Sequence, residues 1–232
     1  MAKLFVALDT ATGAEAMAVV ERLSTIVDGF KVGLELFSAE GPEFVRRLTN
    51  AGLEVFLDLK LHDIPATVAG SIKRLATLGV RYTNVHISGG IEMLKAAVEA
   101  ARERGDIGLL GVTLLTSLGD EEIQKMWNTS ESVSSIVVRM ALRAQEYQLD
   151  GVIASPLEAH EIRNACRTPF KIVTPGIRAA SSRHDDQVRT ATPKEAVRAG
   201  ADILIVGRPI LKAPNMVAAA RTFVSDARTA SR

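Results

Sequence analysis

The stretch LEVFLDLKLHDIPATVAGSIKRLATLG (53–79) reads as one strand followed by one helix. Its first eight residues form a mostly apolar run of strand length, with Asp58 and Lys60 near the end. Pro65 suits the first position of a helix, where a missing N–H leaves no bond unmade, and Gly79 suits the residue just past its end. The unit is therefore a strand to residue 60, a short polar turn and a helix over 65–78.

The same pattern recurs on both sides of it. Strand-like runs occur at KLFVALD (3–9), FKVG (30–33), YTNVHI (82–87), IGLLGVTLL (107–115), DGVIAS (150–155), FKIVTPG (170–176) and ADILIVG (201–207). With 53–60 they number eight. They are apolar throughout rather than alternating, which is the mark of parallel strands covered on both faces. Helical periodicity lies between them. Ile91, Leu94, Val98 and Ala101 share one face of 91–104, and Val133, Ile136, Val137, Met140, Ala144 and Tyr147 share one face of 132–147. Gly52, Gly105 and Gly200 stand where helices should end before the third, fifth and eighth strands. Eight β-then-α units predict an α/β fold, a (β/α)₈ TIM barrel with 1–232 as a single domain. A doubly wound open sheet is the structural alternative.

Composition narrows the function. The chain has 232 residues, 28 Lys and Arg against 27 Asp and Glu, and a net charge of +1. That balance lacks the basic field of a nonspecific nucleic-acid binder. With 47% hydrophobic residues the chain is expected to fold. A single cysteine, Cys166, allows no internal disulfide and no multi-cysteine metal site, which fits a reducing compartment. No apolar run approaches the roughly 20 residues of a membrane span. No leader pattern precedes the first strand. The expectation is a soluble, cytoplasmic protein with no nucleic-acid or membrane partner.

A barrel carries its active site at the C-terminal ends of its strands. Those positions hold Asp9, Lys31, Asp58, Lys60 with Asp63, His86, Thr113 to Ser117, Ser155, Pro175 to Arg178, and Gly207 with Arg208. Asp58 and Lys60 are two apart on a strand, so both face the barrel mouth while Leu57, Leu59 and Leu61 face the helices. An acid and an ammonium in that position require pairing, and Lys31 on the neighbouring strand can join them. Asp63 lies past the strand end, where it either folds back or reaches another subunit. A purely structural salt-bridge network is the alternative, but such a network gains little over apolar packing.

IVGRPIL (205–211) and TPGIR (174–178) point to phosphate. Gly207 admits backbone close to a ligand, a helix opens at Pro209, and Arg208 and Arg178 can fork onto phosphate oxygens. Barrels often bind phosphate after strands seven and eight. The polar, aperiodic stretch 179–192 has the character of a lid. His86 suits either orienting a site acid or a hydrogen-bonded structural place, His62 suits a supporting or turn role, His160 and His184 suit exposed positions, and Cys166 suits packing. Trp127 is expected to cover apolar surface beside the fifth strand. No zinc-ligand spacing, GxGxxG motif or P-loop is present.

These residues bring a resemblance. VALDT (6–10), FKVGLELF (30–37), FLDLKLHDIPATV (56–68), VHISGG (85–90), GVTLLTS (111–117), TPGIR, DDQVR (185–189) and VGRPI (206–210) closely resemble the bacterial orotidine 5′-phosphate decarboxylases. The resemblance spans nearly the whole chain. It implies conversion of orotidine 5′-phosphate to UMP and CO2 in pyrimidine nucleotide synthesis, with no metal and no cofactor. The DxKxxD core is shared with a wider group that includes magnesium-dependent 3-keto-gulonate-6-phosphate decarboxylase and hexulose-6-phosphate synthase. Those relatives carry Glu at the end of strand two, where this chain has Lys31.

The resemblance also implies roles. Lys60 would donate the proton to pyrimidine C6, Asp58 would lie beside the substrate carboxylate, and Lys31 and Asp63 would complete a Lys–Asp–Lys–Asp array. Asp9 and Lys31 would bind ribose hydroxyls. Thr116 would contact the pyrimidine, and Pro175 would join the substrate-binding wall. Gln187 would bridge phosphate and base. Arg208 with Gly207 would hold the phosphate, and Arg178 would help close that site. In a homodimer, Asp63 and Thr67 would reach the neighbour's ribose.

Overall fold

The computed structural model describes residues 1–103, 105, 107–179 and 190–230. Eight parallel strands close on themselves in sequence order. They are β1 (Lys3–Ala7), β2 (Gly29–Gly33), β3 (Val55–Leu61), β4 (Tyr82–His86), β5 (Gly108–Val112), β6 (Gly151–Ile153), β7 (Lys171–Thr174) and β8 (Ile203–Val206). β1 pairs with both β2 and β8, which excludes the open sheet. The protein is a (β/α)₈ barrel, as the strand count predicts.

The helices are α1 (Gly13–Leu23), α2 (Leu34–Asn50), α3 (Pro65–Ala76), α4 (Ile91–Glu103), α5 (Asp120–Trp127), α6 (Val133–Glu146), α7 (Ala159–Ala165), α8 (Pro193–Arg198), α9 (Arg208–Leu211) and α10 (Met216–Ala230). Pro65 opens α3 as predicted. Gly52, Gly79, Gly105 and Gly200 all have positive φ, the conformation that turns the chain from a helix toward the next strand. α5 was not foreseen. It buries only Ile123 and leaves Met126 and Trp127 exposed.

Burial on both faces explains why the strands look apolar throughout. Leu4, Val6, Leu57, Val85, Ile172 and Leu204 point outward into one large core with the helices. Phe5, Ala7, Phe56, Tyr82, Leu110, Val173, Ile203 and Ile205 point inward and fill the barrel. Phe5 and Tyr82 meet as tilted rings 6.2 Å apart. Toward the C-terminal end this filling gives way to polar side chains. On β3 the inward series runs from Phe56 to Asp58, and on β4 from Tyr82 to Asn84. The core ends there and the site begins.

Candidate active site

Asp58 sits at the centre of the polar layer and is almost fully buried. The Lys60 ammonium donates to its Oδ1 at 2.8 Å, and the Lys31 ammonium lies 3.5 Å from its Oδ2. Lys31 also reaches Asp9 at the end of β1, at 3.3 Å. Burial by itself would raise the Asp58 pKa. The charges of Lys31 and Lys60, with hydrogen bonds from Lys60 and Asn84, outweigh it and hold the pKa below its ordinary value. The site thus keeps one buried anion charged between two cations.

β3 departs from a regular strand here. Its register against β4 shifts between Leu57 and Leu61, and Lys60 has φ +52°. A left-handed non-glycine residue costs on the order of 1–2 kcal/mol. Two-residue spacing puts Asp58 and Lys60 on one side, as predicted, but the bulge aims the lysine. Asn84 accompanies it. Its Oδ1 accepts the Lys60 backbone N–H at 2.8 Å, and its Nδ2 donates to Asp58 Oδ1 at 2.7 Å. Sequence reasoning passed over Asn84. The available signal was an amide in the middle of a strand, YTNVH, whose neighbouring strands are apolar.

Glycines clear space around the charges. A Cβ on Gly33 would come within 2.9 Å of Lys31 Nζ, and one on Gly207 within 2.7 Å of Asp9 Oδ2. Gly207 was predicted for close approach, whereas Gly33 was missed. His86 closes β4 with its ring 5.2 Å from that of His62. Burial, with the nearby His62 and Lys60, holds the His86 imidazole below its ordinary pKa despite the opposing Asp58 charge.

A cavity of about 230 Å³ opens over this network. Asp9, Lys31, Asp58 and Lys60 form one side of its lining. Pro175, Gly176, Arg178, Gly207 and Arg208 supply the β7 and β8 side. Leu114, Leu115 and Thr116, after β5, complete the rim. Arg178 is buried, and Arg208 begins α9 directly after Gly207. An anionic ligand matches the cations of this lining.

Some predicted residues lie elsewhere. Asp63 is exposed, accepts the Ile64 N–H at 2.6 Å, and borders a separate shallow depression with His62, Pro65 and Ser88. Thr67 is exposed on the first turns of α3. The structure therefore gathers Lys31, Asp58 and Lys60 and leaves Asp63 outside the cavity lining. Gln187 and His184, with most of the predicted lid, fall outside the described residues. The stems flanking that stretch are paired: Arg178 N–H donates to the Ala191 carbonyl at 2.9 Å. His160 is exposed and Cys166 is buried, as expected. Among the described residues, no cluster of three or more His, Cys, Asp or Glu could hold a metal ion. Among them also, no helix is long and apolar enough to cross a membrane.

Residues 2–223 match the family model described as orotidine 5′-phosphate decarboxylase / HUMPS family. The chain belongs to this family. It is 48% identical to an orotidine 5′-phosphate decarboxylase of Moorella thermoacetica over 97% of this chain and 91% of that one. It is 45% identical to one of Carboxydothermus hydrogenoformans over 97% and 95%. The crystal structure of the Lactobacillus acidophilus orotidine 5′-phosphate decarboxylase superposes with a TM-score of 0.83 at 36% identity, covering 98% of this chain and 99% of that one. Family membership fits the barrel, the charged strand ends and the arginine-bearing loops already described.

Proposed function

We propose that this chain is a carboxy-lyase that converts orotidine 5′-phosphate to UMP and CO2, without a metal or organic cofactor. The observation that carries the reading is the Lys60 ammonium, hydrogen-bonded to buried Asp58 and facing a cavity lined by Arg178 and Arg208. Full-length relatives that bear this activity's name support it.

The C6–carboxylate bond breaks and its electron pair stays on C6 as an sp² carbanion, which the ring delocalises poorly. In a cofactor-free reaction no electron sink is available, so stabilisation falls to fixed charge. Lys60 supplies that charge and then transfers a proton to C6, giving UMP. Solvent restores the ammonium. At an effective dielectric of 20, unit charges about 4 Å apart interact by about 4 kcal/mol. A few contacts of that size matter against a catalysed barrier. Asp58 keeps Lys60 oriented. Its own charge opposes the substrate carboxylate, a repulsion that fades as CO2 leaves.

The remaining roles follow the charge pattern. Asp9 and Lys31 bind ribose hydroxyls, Thr116 and Pro175 bound the pyrimidine, and Gly207, Arg208 and Arg178 hold the phosphate, with Gln187 bridging phosphate and base. Phosphate binding, remote from C6, supplies energy for assembling the site. The functional unit is a homodimer in which Asp63 and Thr67 complete the neighbour's ribose site. Exposed Leu34, Ile64 and Ile91, at the successive corners after β2, β3 and β4, support such an interface.

Incubation with orotidine 5′-phosphate in EDTA, followed by ultraviolet absorbance, tests the reading. Full turnover is expected. Turnover only when magnesium is restored would overturn the metal-free mechanism. Binding without product would overturn the enzymatic reading.

A further inference from the structure

We propose that Asn84 is a positioning residue of this site, whose side-chain amide holds Lys60 in its left-handed backbone conformation and thereby sets the ammonium against Asp58. The inference rests on the decarboxylase reading and deepens it.

Lys60 is one of three non-glycine residues with positive φ among those described, and the other two, Asn128 and Gln148, follow the ends of α5 and α6. Lys60 alone adopts it at a strand end lining the cavity. Where the β3–β4 register shifts, the Lys60 N–H goes to the Asn84 side chain. The same amide donates to Asp58 Oδ1, the oxygen that also receives Lys60 Nζ. Backbone N–H, amide, carboxylate and ammonium thus form one closed ring through residues 60, 84 and 58.

Asn84 is fully buried, so its polar atoms need partners inside the protein. The ring asks for one acceptor and one donor, uncharged, on a short stem. Asparagine supplies both. Ionised aspartate lacks the donor and adds a second anion beside Asp58. Leucine fills the space and leaves the Lys60 N–H and Asp58 each short of a bond. Among the described residues, the ionisable groups facing Asp58 are Lys31 on β2, Lys60 on β3 and His86 on β4, with Asp9 at the end of β1 acting through Lys31.

Asn84→Leu and Asn84→Asp test this beside the wild-type chain. Asn84→Leu is expected to lower kcat about 100-fold while KM changes less than about threefold, because the phosphate contacts are untouched. Asn84→Asp is nearly isosteric, so it tests the ring without the change of shape that leucine brings. Sharing one proton with Asp58, it rebuilds the ring. Its activity is therefore expected to exceed that of Asn84→Leu at acid pH and to decline as that proton leaves, a limb the wild type lacks. A merely structural residue would leave the profile's shape unchanged. Wild-type kcat in Asn84→Leu, or a wild-type profile in Asn84→Asp, would overturn the proposal. A carbon-13 titration of the Asp58 carboxyl needs no turnover: its midpoint should rise in both variants. An unchanged midpoint overturns the role of Asn84, whereas wild-type protein inert toward orotidine 5′-phosphate overturns only the proposed reaction.

Discussion

Asp58 stays ionised in the barrel because two ammonium groups and an amide are aimed at it. His86, on the next strand, has its pKa held below the ordinary value by burial first and then by nearby His62 and Lys60. Both groups bind protons less readily folded than unfolded, so each contributes stability above its unfolded pKa that is lost as pH falls. The His86 contribution fades below its ordinary value of 6.5, and the Asp58 contribution below 3.8. Urea unfolding of His86→Asn is therefore expected to show a flatter decline just below pH 6.5, with the acid limb intact. Equal declines in both proteins would contradict the assignment. At the phosphate end, Arg208→Ala is expected to lower kcat/KM by about ten- to a hundredfold, the scale of a lost charge-assisted bond of about 1.5–3 kcal/mol. Unchanged steady-state kinetics would remove Arg208 from the site.

At the opposite end of the barrel, three acids tie strands in pairs. Asp28, Asp150 and Asp202 stand just before β2, β6 and β8. Their carboxylates accept the N–H of Leu4 at 2.8 Å, Leu109 at 2.7 Å and Ile172 at 2.8 Å, each on the preceding strand. Asp202→Ala is expected to reduce stability by about 1–3 kcal/mol while kcat stays unchanged. A calorimetric or urea midpoint equal to wild type would contradict that. Elements such as these were legible in the sequence where burial dictates pattern. Strands covered on both faces must be apolar along their length, and glycine marks the helix exits. The β3 bulge was not legible, because φ at Lys60 depends on an amide 24 residues away on another strand. α5 was missed for the opposite reason: with only Ile123 buried, it leaves little periodic signal.

The whole barrel explains why the charged strand ends could be read from sequence. In-order closure brings the ends of β1, β2 and β3 beside one another and sets β7 across the mouth from β3. Residues far apart in the chain, from Asp9 to Arg208, therefore line one cavity. Asp63 lies past the end of β3 and outside the cavity lining. Mixing Asp63→Ala with Lys60→Ala chains tests the shared site. Each mixed dimer should hold one competent site, formed by Lys60 of one chain and Asp63 of the other. Activity well above either parent is expected after subunit exchange, and none would contradict a site shared across an interface.

The most direct measurement is turnover of orotidine 5′-phosphate by Lys60→Ala, with UMP affinity measured in parallel. The nucleotide should still bind through the arginines while decarboxylation is abolished. Retention of more than about a tenth of the wild-type rate would mean that some other group stabilises and protonates C6.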